Sequence, residues 1–343
     1  MELWFSKNLR GKFFTIPLFI IVSFIGLQYY QFLHEPIPVG KEGKVLVITP
    51  GSSTQAISDT LQKEGLIKNS LFYIILLQWE GGFGKLKAGE YLVLPGTTPK
   101  GLIDLLVSGK VIQHPFTVVP GWTFDRLIQE LNAAPKLTHT LTGLSHEDIM
   151  TKLGYPGVHP EGHFLPETYY FPAGTTDVAF LKRAYRLLQD KLNAGWAIRD
   201  PLLILKTPYE ALILASIIEK ESDLVDEYSD IAGVYIRRLQ KNMLLQADPT
   251  VIYGLGKDFT GPLDTKSLAM SSPYNTYLNL GLPPTPIAMP SLKAIEAALH
   301  PKAGDALYFV AKGEGKGKGH TFSKTIEEHQ SAVLEYRKTI GKN

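Results

Sequence analysis

Cysteine is absent from this chain of 343 residues. The protein therefore has no disulfide framework, no zinc or iron–sulfur site with cysteine ligands and no cysteine nucleophile. A His-Glu-x-x-His metal pattern is also missing, and the nine histidines are scattered along the sequence. We therefore expect neither a metal ion nor an organic cofactor. An oxidising compartment would not harm such a chain, although its composition alone does not prove export.

Excess charge of either sign is also lacking, because the formal net charge is only +2. No basic stripe with interleaved aromatic residues occurs, so nucleic acid is not an expected partner. Residues 312–319 alternate glycine with charged residues but lack the order of a phosphate-binding loop followed by a helix, and they predict a flexible hairpin tip. With 44% hydrophobic residues, the chain is long enough for two or three globular domains.

One long hydrophobic run lies near the amino terminus. Residues 13–30 carry no charge, and a helix of this length just crosses the roughly 30 Å core of a bilayer. Lys7, Arg10 and Lys12 precede it, so the positive-inside rule predicts that residues 1–30 form a cytoplasmic stub and a membrane anchor. The rest of the chain would then lie on the outer side. A cleaved signal peptide is the alternative, but no small-x-small cleavage site follows.

The segment after the anchor predicts a small α/β unit. Residues 31–43 contain Pro36, Pro38 and Gly40 and are interpreted as a short stiff linker. Hydrophobic patterns then predict a strand at 44–49, helices at 53–64 and 69–80, and a strand at 89–94. A further helix is predicted at 98–109, with Thr98 as its cap. The β-α-α-β order resembles a LysM module, which in other proteins binds N-acetylglucosamine polymers; a spacer domain is the alternative.

We therefore expect the fold class to be α+β, with three parts. The first is an amino-terminal transmembrane helix, and the second is a small LysM-like domain at residues 44–112. The third is a larger mixed α/β domain at residues 113–343. This last domain contains the residues that are candidates for chemistry.

The leading candidate lies in a helix that begins after Thr207. The sequence from Thr207 to Glu210 is a capping box with proline at the first helical position, which predicts a helix start. Glu221 interrupts the apolar face of this helix, whose spacing of three and four residues connects Leu214, Ile217, Ile218, Glu221, Leu224 and Val225. A carboxyl group therefore occupies a place where the pattern requires an apolar side chain.

Such surroundings would change the chemistry of Glu221. A carboxyl group among apolar neighbours loses hydration, which raises its pKa towards the range that a general acid needs near neutral pH. Glu219 points about 160° away around the helix, to a face where charge is ordinary. The alternative is that Glu221 ends the helix and either reaches solvent or pairs with Arg237 or Arg238.

Two loops add polar candidates around this helix. Residues 161–169 contain Glu161 among aromatic and glycine residues, and such loops often line sites; a turn whose acids cap neighbouring helices is the alternative. In the second loop, Pro249 is expected to keep Asp248 out of helical geometry. Gln246 and Asp248 would then present their side chains from an extended turn.

Two later segments complete the set of candidates. Asn275 and Tyr277 belong to a polar and aromatic loop that prolines stiffen. Amide groups can form hydrogen bonds with sugar hydroxyl or acetamido groups, while aromatic rings stack on sugar C–H faces. His320 follows the predicted hairpin tip, and Thr325 with Glu328 forms a second capping box for the last helix.

Four motifs together resemble the endolytic murein transglycosylase family (MltG, also called YceG-like): ASIIEKE at 215–221, LLQADPTVIYG at 244–254, YNTY with GLPP at 274–284, and GHTF at 319–322. The resemblance covers about residues 44–340 and includes the single amino-terminal anchor and the loop at 161–169. In that family the catalytic acid matches Glu221. Ser222 follows it here where many relatives have Thr, a departure that leaves the role intact.

The resemblance implies a bacterial plasma-membrane enzyme that cuts peptidoglycan glycan strands internally and ends nascent strands. Its expected partners are these glycan strands, the membrane and peptidoglycan synthases. Glu221 would act first as acid and then as base on the β-1,4 bond between N-acetylmuramic acid and N-acetylglucosamine, leaving a 1,6-anhydro end. Gln246, Asp248, Asn275, Tyr277, Glu161 and His320 are the expected substrate-binding residues.

Three alternatives remain at this stage. A hydrolysing muramidase would use a second carboxylate as nucleophile or as base, and Glu161, Glu167 and Asp248 are the available acids. A wall-binding or synthase-scaffolding protein without activity would use Glu221 only structurally. An aminodeoxychorismate lyase, an old label of the family, would need pyridoxal phosphate and a cytosolic site, which the anchor argues against.

Overall fold

The computed structural model describes residues 5–313 and 319–340, and these divide into two compact units. The first unit extends to His114 and includes Phe171–Gly174, and the second comprises Pro115–Tyr170 and the chain from Thr175 onward. The mixture of helices and strands confirms the predicted mixed α/β class. Most of the predicted hairpin tip, residues 314–318, and residues 1–4 of the predicted cytoplasmic stub lie outside the described residues.

The amino-terminal helix α1 (Phe5–His34) contains the predicted apolar run. Its segment Pro17–His34 is long and apolar enough to cross a membrane, with a mean hydropathy of 1.2. Only 6% of this segment is buried, so most of its side chains do not belong to a protein core. This length and composition suit a membrane span, and they would also suit a signal sequence.

The first unit has the predicted β-α-α-β order, formed by β1 (Lys44–Ile48), α2 (Thr54–Lys63), α3 (Ser70–Trp79) and β2 (Gly89–Val93). The two strands are antiparallel, with Leu46 opposite Tyr91. The helix α4 (Pro99–Ser108) follows, and the Thr98 side chain caps it as predicted. Two residues of the predicted linker, Phe32 and Ile37, are buried in the core of this unit.

The remaining elements are, in chain order, β3 (Gln113–Thr117), α5 (Phe124–Asn132), β4 (Leu137–Thr138), α6 (His146–Leu153), β5 (Thr168–Pro172), β6 (Thr175–Thr176), α7 (Asp177–Ala197), α8 (Pro208–Glu221), a 3-10 turn (Val225–Glu227), α9 (Tyr228–Gln240), α10 (Asp248–Leu255), α11 (Thr265–Leu268), α12 (Leu292–Leu299), β7 (Tyr308–Ala311), β8 (His320–Ser323) and α13 (Ile326–Ile340). β4 and β6 pair in parallel, and β7 and β8 pair antiparallel.

Helix α8 is the centre of the second unit. Thr207 Oγ1 accepts a hydrogen bond from Glu210 N at 3.2 Å, so the predicted helix start is confirmed. All eight residues from position 211 to 218 are buried, and α7, α9, α10 and α12 pack around them. Burial on every side makes α8 a core helix, and its carboxyl end emerges from that core at Glu221.

The end of α8 differs from the prediction. The apolar spacing predicted a helical face that continued to Val225, but the helix ends at Glu221, and Ser222 is extended with φ −141° and ψ 144°. Ser222 Oγ accepts a hydrogen bond from Leu224 N at 3.1 Å, and such local bonds compete with the helical ones. Val225 is 49% exposed and is therefore not an apolar neighbour of Glu221 on a shared helical face.

The prediction for Asp248 was also wrong, because Asp248 begins α10 instead of lying in an extended turn. Pro249 is tolerated there because the first turn of a helix leaves its N–H groups without helical partners. The chain enters this helix through Gln246, which has a φ of 51°. Thr276 fixes the backbone just before α10, because its carbonyl accepts a hydrogen bond from Gln246 N and its Oγ1 accepts one from Ala247 N.

Candidate active site

Five of the seven predicted site residues line one cavity of about 430 Å³ in the second unit. They are Glu221, Gln246, Asp248, Tyr277 and His320. These side chains come from the carboxyl end of α8, the loop before α10, the first residue of α10, the loop between α11 and α12, and the start of β8. The cavity thus collects residues that lie up to about a hundred positions apart in the sequence.

Glu221 is held in the cavity wall by Tyr235 of α9, whose hydroxyl donates to Glu221 Oε2 at 3.0 Å. The side chain is half-buried: protein atoms surround it except where it faces the cavity. Burial raises the pKa of Glu221 to about 7, and the negative charge of Asp248 acts in the same direction. The hydrogen bond from Tyr235 and the charge of Arg238 lower that pKa. Glu221 can therefore both give and accept a proton near neutral pH.

Arg238 is the structural centre of the cavity wall and is only 7% exposed. Its Nε donates to Leu307 O at 2.7 Å, and its Nη1 donates to Leu245 O at 2.9 Å. Nη1 also approaches Leu244 O and Gln246 Oε1, at 3.1 and 3.2 Å. One guanidinium thus joins α9, the loop before α10 and the segment that leads into β7.

Tyr277 and Asp248 form a second pair in the cavity. Tyr277 Oη donates to Asp248 Oδ1 at 2.5 Å. Asn275 does not line the cavity; it is fully buried, and its amide nitrogen donates to Leu268 O and Met270 O. Its Oδ1 accepts from Tyr277 N at 2.9 Å. Asn275 therefore orients the backbone of Tyr277, and its side-chain amide is already occupied by hydrogen bonds within the protein.

His320 is held by a carboxylate that the sequence did not indicate. Glu227 Oε2 lies 2.7 Å from His320 Nδ1, and Glu227 Oε1 accepts from His320 N at 2.8 Å. The preceding Gly319 has a φ of 67°, and a Cβ there would come within 2.5 Å of Glu227 Oε1. Glycine is therefore required for this close approach. Because Nδ1 is hydrogen-bonded to Glu227, Nε2 is the ring nitrogen of His320 that can contact a ligand.

Glu161 is separated from this cavity and lines another of about 470 Å³. It is 4% exposed, its Oε1 accepts from Phe124 N at 2.9 Å and its Oε2 accepts from Tyr253 Oη at 3.1 Å. Burial raises its pKa to about 7. Because Phe124 is the first residue of α5, Glu161 acts at the start of that helix, in agreement with the alternative that acids of this loop cap neighbouring helices.

Glu219, the other carboxylate near the end of α8, serves a structural purpose. Its Oε2 accepts from Ser291 N at 2.9 Å and from Ser291 Oγ at 2.5 Å. Ser291 is the cap of α12, so Glu219 links two core helices. The two glutamates of the Glu-Lys-Glu motif therefore point to different surroundings, as the helical spacing predicted.

Three further residues line or support the cavity but were not among the predicted site residues. Arg238 lines it, Tyr235 holds Glu221 and Glu227 holds His320. Tyr235 was detectable only as an inward residue of its helix. Glu227 is 93 positions from His320, and no local pattern marks it. Such partners become visible only when the chain is folded.

Comparisons with known proteins identify relatives of this chain. The profile of the YceG-like family matches residues 46–335. The endolytic murein transglycosylase of Bacillus subtilis (strain 168) is 32% identical over an alignment of 320 residues that covers 87% of each chain. The protein of the same name from Streptococcus pneumoniae (serotype 2, strain D39) is 28% identical over 95% of this chain, and the match spans 65% of the pneumococcal protein.

A solved structure extends the likeness to the fold. The crystal structure of a putative YceG-like protein from Listeria monocytogenes superposes with a TM-score of 0.53 at 28% identity. The superposition covers 85% of this chain and 99% of the Listeria chain. The family profile includes every residue of the cavity, and the Bacillus relative matches 87% of the chain. The chain therefore belongs to the YceG-like family.

Proposed function

We propose that the protein is an endolytic lytic transglycosylase of peptidoglycan, which cleaves the β-1,4 bond between N-acetylmuramic acid and N-acetylglucosamine. The names of its relatives from Bacillus and Streptococcus support this activity. The observation that carries it in this chain is Glu221, a half-buried carboxyl with a pKa raised to about 7 in a polar cavity. Cleavage inside nascent strands would end their elongation.

Glu221 acts in both halves of the reaction. In its protonated form it donates to the glycosidic oxygen as the bond to C1 of the muramic acid breaks and C1 becomes oxocarbenium-like. As a carboxylate it then takes the proton from the 6-hydroxyl of the same sugar, whose oxygen bonds to C1. The proton count balances, no water is consumed, and the product carries a 1,6-anhydro ring.

The other cavity residues bind the sugar chain. Gln246, Tyr277 and His320 offer hydrogen-bonding groups around Glu221. Asp248 is the one carboxylate of the predicted second acids that lines the same cavity, since Glu161 lies elsewhere. One of its carboxylate oxygens already accepts a hydrogen bond from Tyr277, which suits a residue that orients substrate instead of attacking C1. Asn275 supports Tyr277, and Glu161 supports the fold.

The products distinguish the proposed reaction from its alternatives. Digestion of long glycan strands by the full-length chain in detergent should give fragments whose muramic acid ends are 1,6-anhydro sugars, as measured by mass spectrometry. Fragments of intermediate length should appear first, because an endolytic enzyme cuts inside the strand. Free reducing muramic acid would identify a hydrolysing muramidase that uses a second carboxylate. Intact strands would leave only a wall-binding or scaffolding role.

The pH dependence of cleavage should follow the protonation of Glu221. A general acid must be protonated, so kcat/KM should fall as the pH rises through about 7. Replacing Tyr235 by Phe removes a hydrogen bond that favours the carboxylate, so the pKa of Glu221 should rise. The alkaline limb of kcat/KM should move to higher pH by roughly one unit.

The matched control for this experiment is Tyr228→Phe. Tyr228 lies on the same helix, and its hydroxyl donates to the structural Glu219 at 3.3 Å. Its removal should leave the pH profile unchanged. An unshifted profile in Tyr235→Phe, or the same shift in both variants, would contradict the assignment of the alkaline limb to Glu221.

The pair of Glu227 and His320 should matter for substrate binding. Glu227→Gln keeps the shape of the side chain but removes the charge that holds His320 Nδ1. Hydrogen bonds to charged groups contribute about 1.5–3 kcal/mol, so kcat/KM should fall by about tenfold or more, mainly through KM. Asp226→Asn, a neighbour in the same turn and exposed, should behave like the wild type.

A second variant tests whether Glu227 acts through the histidine. His320→Ala should reduce kcat/KM by at least as much, and the double variant should add little to it, because both changes remove one interaction. Additive losses would mean that Glu227 acts separately from His320.

The proposal also concerns location and domain roles. α1 anchors the protein in the bacterial plasma membrane with the amino terminus in the cytoplasm and both units on the outer side; the apolar segment Pro17–His34 supports the span. Residues 44–112 form a LysM-like domain that binds the sugar chain, supported by its β-α-α-β order, and residues 113–343 form the catalytic domain. Peptidoglycan synthases are the proposed protein partners.

A further inference from the structure

Helix α3 exposes an apolar stripe on the surface of the first unit. Leu71, Ile75 and Trp79 follow each other at intervals of four residues, and Phe83 comes shortly after the helix. Their exposed fractions are 61%, 39%, 83% and 52% respectively. A continuous row of large exposed hydrophobic side chains is unusual on a protein surface and is typical of an interaction site.

The opposite face of α3 is also apolar, but it packs against the core of the first unit. Tyr73, Leu76 and Leu77 are buried in the core of the first unit. The helix therefore already has its core-facing side, and the exposed stripe is additional to it. An ordinary surface helix carries polar residues in these positions, so the stripe requires an apolar environment outside this unit.

The position of the stripe beside α1 indicates which apolar environment covers it. Phe72, the neighbour of Leu71, packs against two rings of α1: Tyr29 at 5.4 Å and Phe32 at 5.8 Å between ring centroids. These two residues lie at the carboxyl end of the apolar segment of α1. The amino-terminal end of α3 is thus fixed beside the place where α1 leaves its apolar stretch.

We propose that α3 lies on the outer surface of the bilayer that α1 crosses, with the stripe of Leu71, Ile75, Trp79 and Phe83 inserted at the boundary of headgroups and acyl chains. This inference rests on the membrane location proposed above. Tryptophan is enriched at this depth, and the exposed Lys85, which follows the stripe, is suited to anionic headgroups. The first unit would then contact the membrane both through its anchor and through α3.

A second candidate for the membrane-contacting surface is the outer face of the β1–β2 sheet in the same unit. Val45, Val47, Leu92 and Leu94 are also exposed there, by 41–55%. This sheet face therefore supplies a control surface of similar apolarity and exposure.

The absence of cysteine makes the proposal directly testable, because a single introduced cysteine is a unique labelling site. The full-length chain with Leu71→Cys, Trp79→Cys, Val47→Cys or Val22→Cys is labelled with a nitroxide and reconstituted in vesicles of phosphatidylcholine and phosphatidylglycerol. Collision rates with oxygen, which is soluble in lipid, and with a water-soluble nickel complex are then measured. Circular dichroism checks that each variant is folded.

The labels at Leu71 and Trp79 should lose most of their collisions with the nickel complex and gain collisions with oxygen, relative to the label at Val47. Equal water exposure at Leu71 and Val47, with the Val22 label of α1 in lipid, would overturn the docking of α3 while leaving the anchor intact. Water exposure at Val22 as well would overturn both the anchor and the docking. Lipid contact at Val47 in place of Leu71 would assign the membrane surface to the sheet.

Discussion

Replacing Glu221 by Gln is expected to lower the rate of glycan cleavage by about 10²- to 10⁴-fold, the usual contribution of a general acid or base. Gln keeps the size of the side chain and can still accept from Tyr235, but it carries no exchangeable acidic proton. Both halves of the reaction need that proton, first on the glycosidic oxygen and then on its return from the 6-hydroxyl. Release of anhydro-ended fragments from purified strands is the measurement.

Glu219→Gln is the matched control for this variant. It makes the same change two residues away on the same helix, where the carboxylate binds Ser291 instead of facing the cavity. Activity should persist in Glu219→Gln while the melting temperature falls. Full activity in Glu221→Gln would show that another group donates the proton.

Glu221→Gln should also change stability in a direction that depends on pH. Folding raises the pKa of Glu221 from 4.5 to about 7, so the folded state binds this proton more tightly than the unfolded chain. The resulting stabilisation is complete below about pH 4.5 and is lost as the pH rises through about 7. The variant should therefore melt at a higher temperature than the wild type at pH 8, and the difference should vanish near pH 4.5.

Replacing Arg238 by Ala is expected to have the largest effect on the fold around the cavity. The guanidinium donates to three backbone carbonyls and to the Gln246 side chain, and its Cζ lies 5.1 Å from the centre of the Tyr308 ring. Its removal leaves buried acceptors without donors, each at a cost of about 1–3 kcal/mol. We expect a loss of at least about 3 kcal/mol in the free energy of unfolding.

Such a loss should lower the melting temperature by about 6–12 °C for a unit of this size. Activity should fall as well, because Gln246 and the loop before α10 would no longer be held. Lys241→Ala, at the end of the same helix and exposed, should change neither property. A melting temperature within a degree or two of the wild type in Arg238→Ala would show that water or another side chain replaces the guanidinium.

Local interactions explain why much of the fold was predictable. The starts of α4, α8 and α13 were each indicated by a capping residue, and in each case its side chain accepts from the backbone N–H three residues later. A bond across three residues depends on little besides the residues themselves. The order of strands and helices in the first unit follows from the same kind of short-range pattern.

The errors occurred where short-range patterns competed with packing. The apolar spacing continued beyond Glu221, but the side chain of Ser222 ends the helix. Pro249 argued against a helical Asp248, whereas contacts from Thr276 set up a helix start there. The hydrogen-bonding capacity of Asn275 suited a sugar, yet it is consumed inside the protein.

The sequence by itself determined the apolar amino-terminal helix, the capped helices and the different directions of Glu219 and Glu221 on α8, because each depends on residues within a few positions of one another. Only the tertiary structure decided which polar residues share a cavity with Glu221 and which carboxylates support the fold. The pairs of Tyr235 with Glu221, Glu227 with His320 and Glu161 with Phe124 are separated by 14, 93 and 37 positions. Only packing of the intervening chain brings such partners within hydrogen-bonding distance, and that packing also removes the water that would otherwise keep the pKa of Glu221 near its ordinary value.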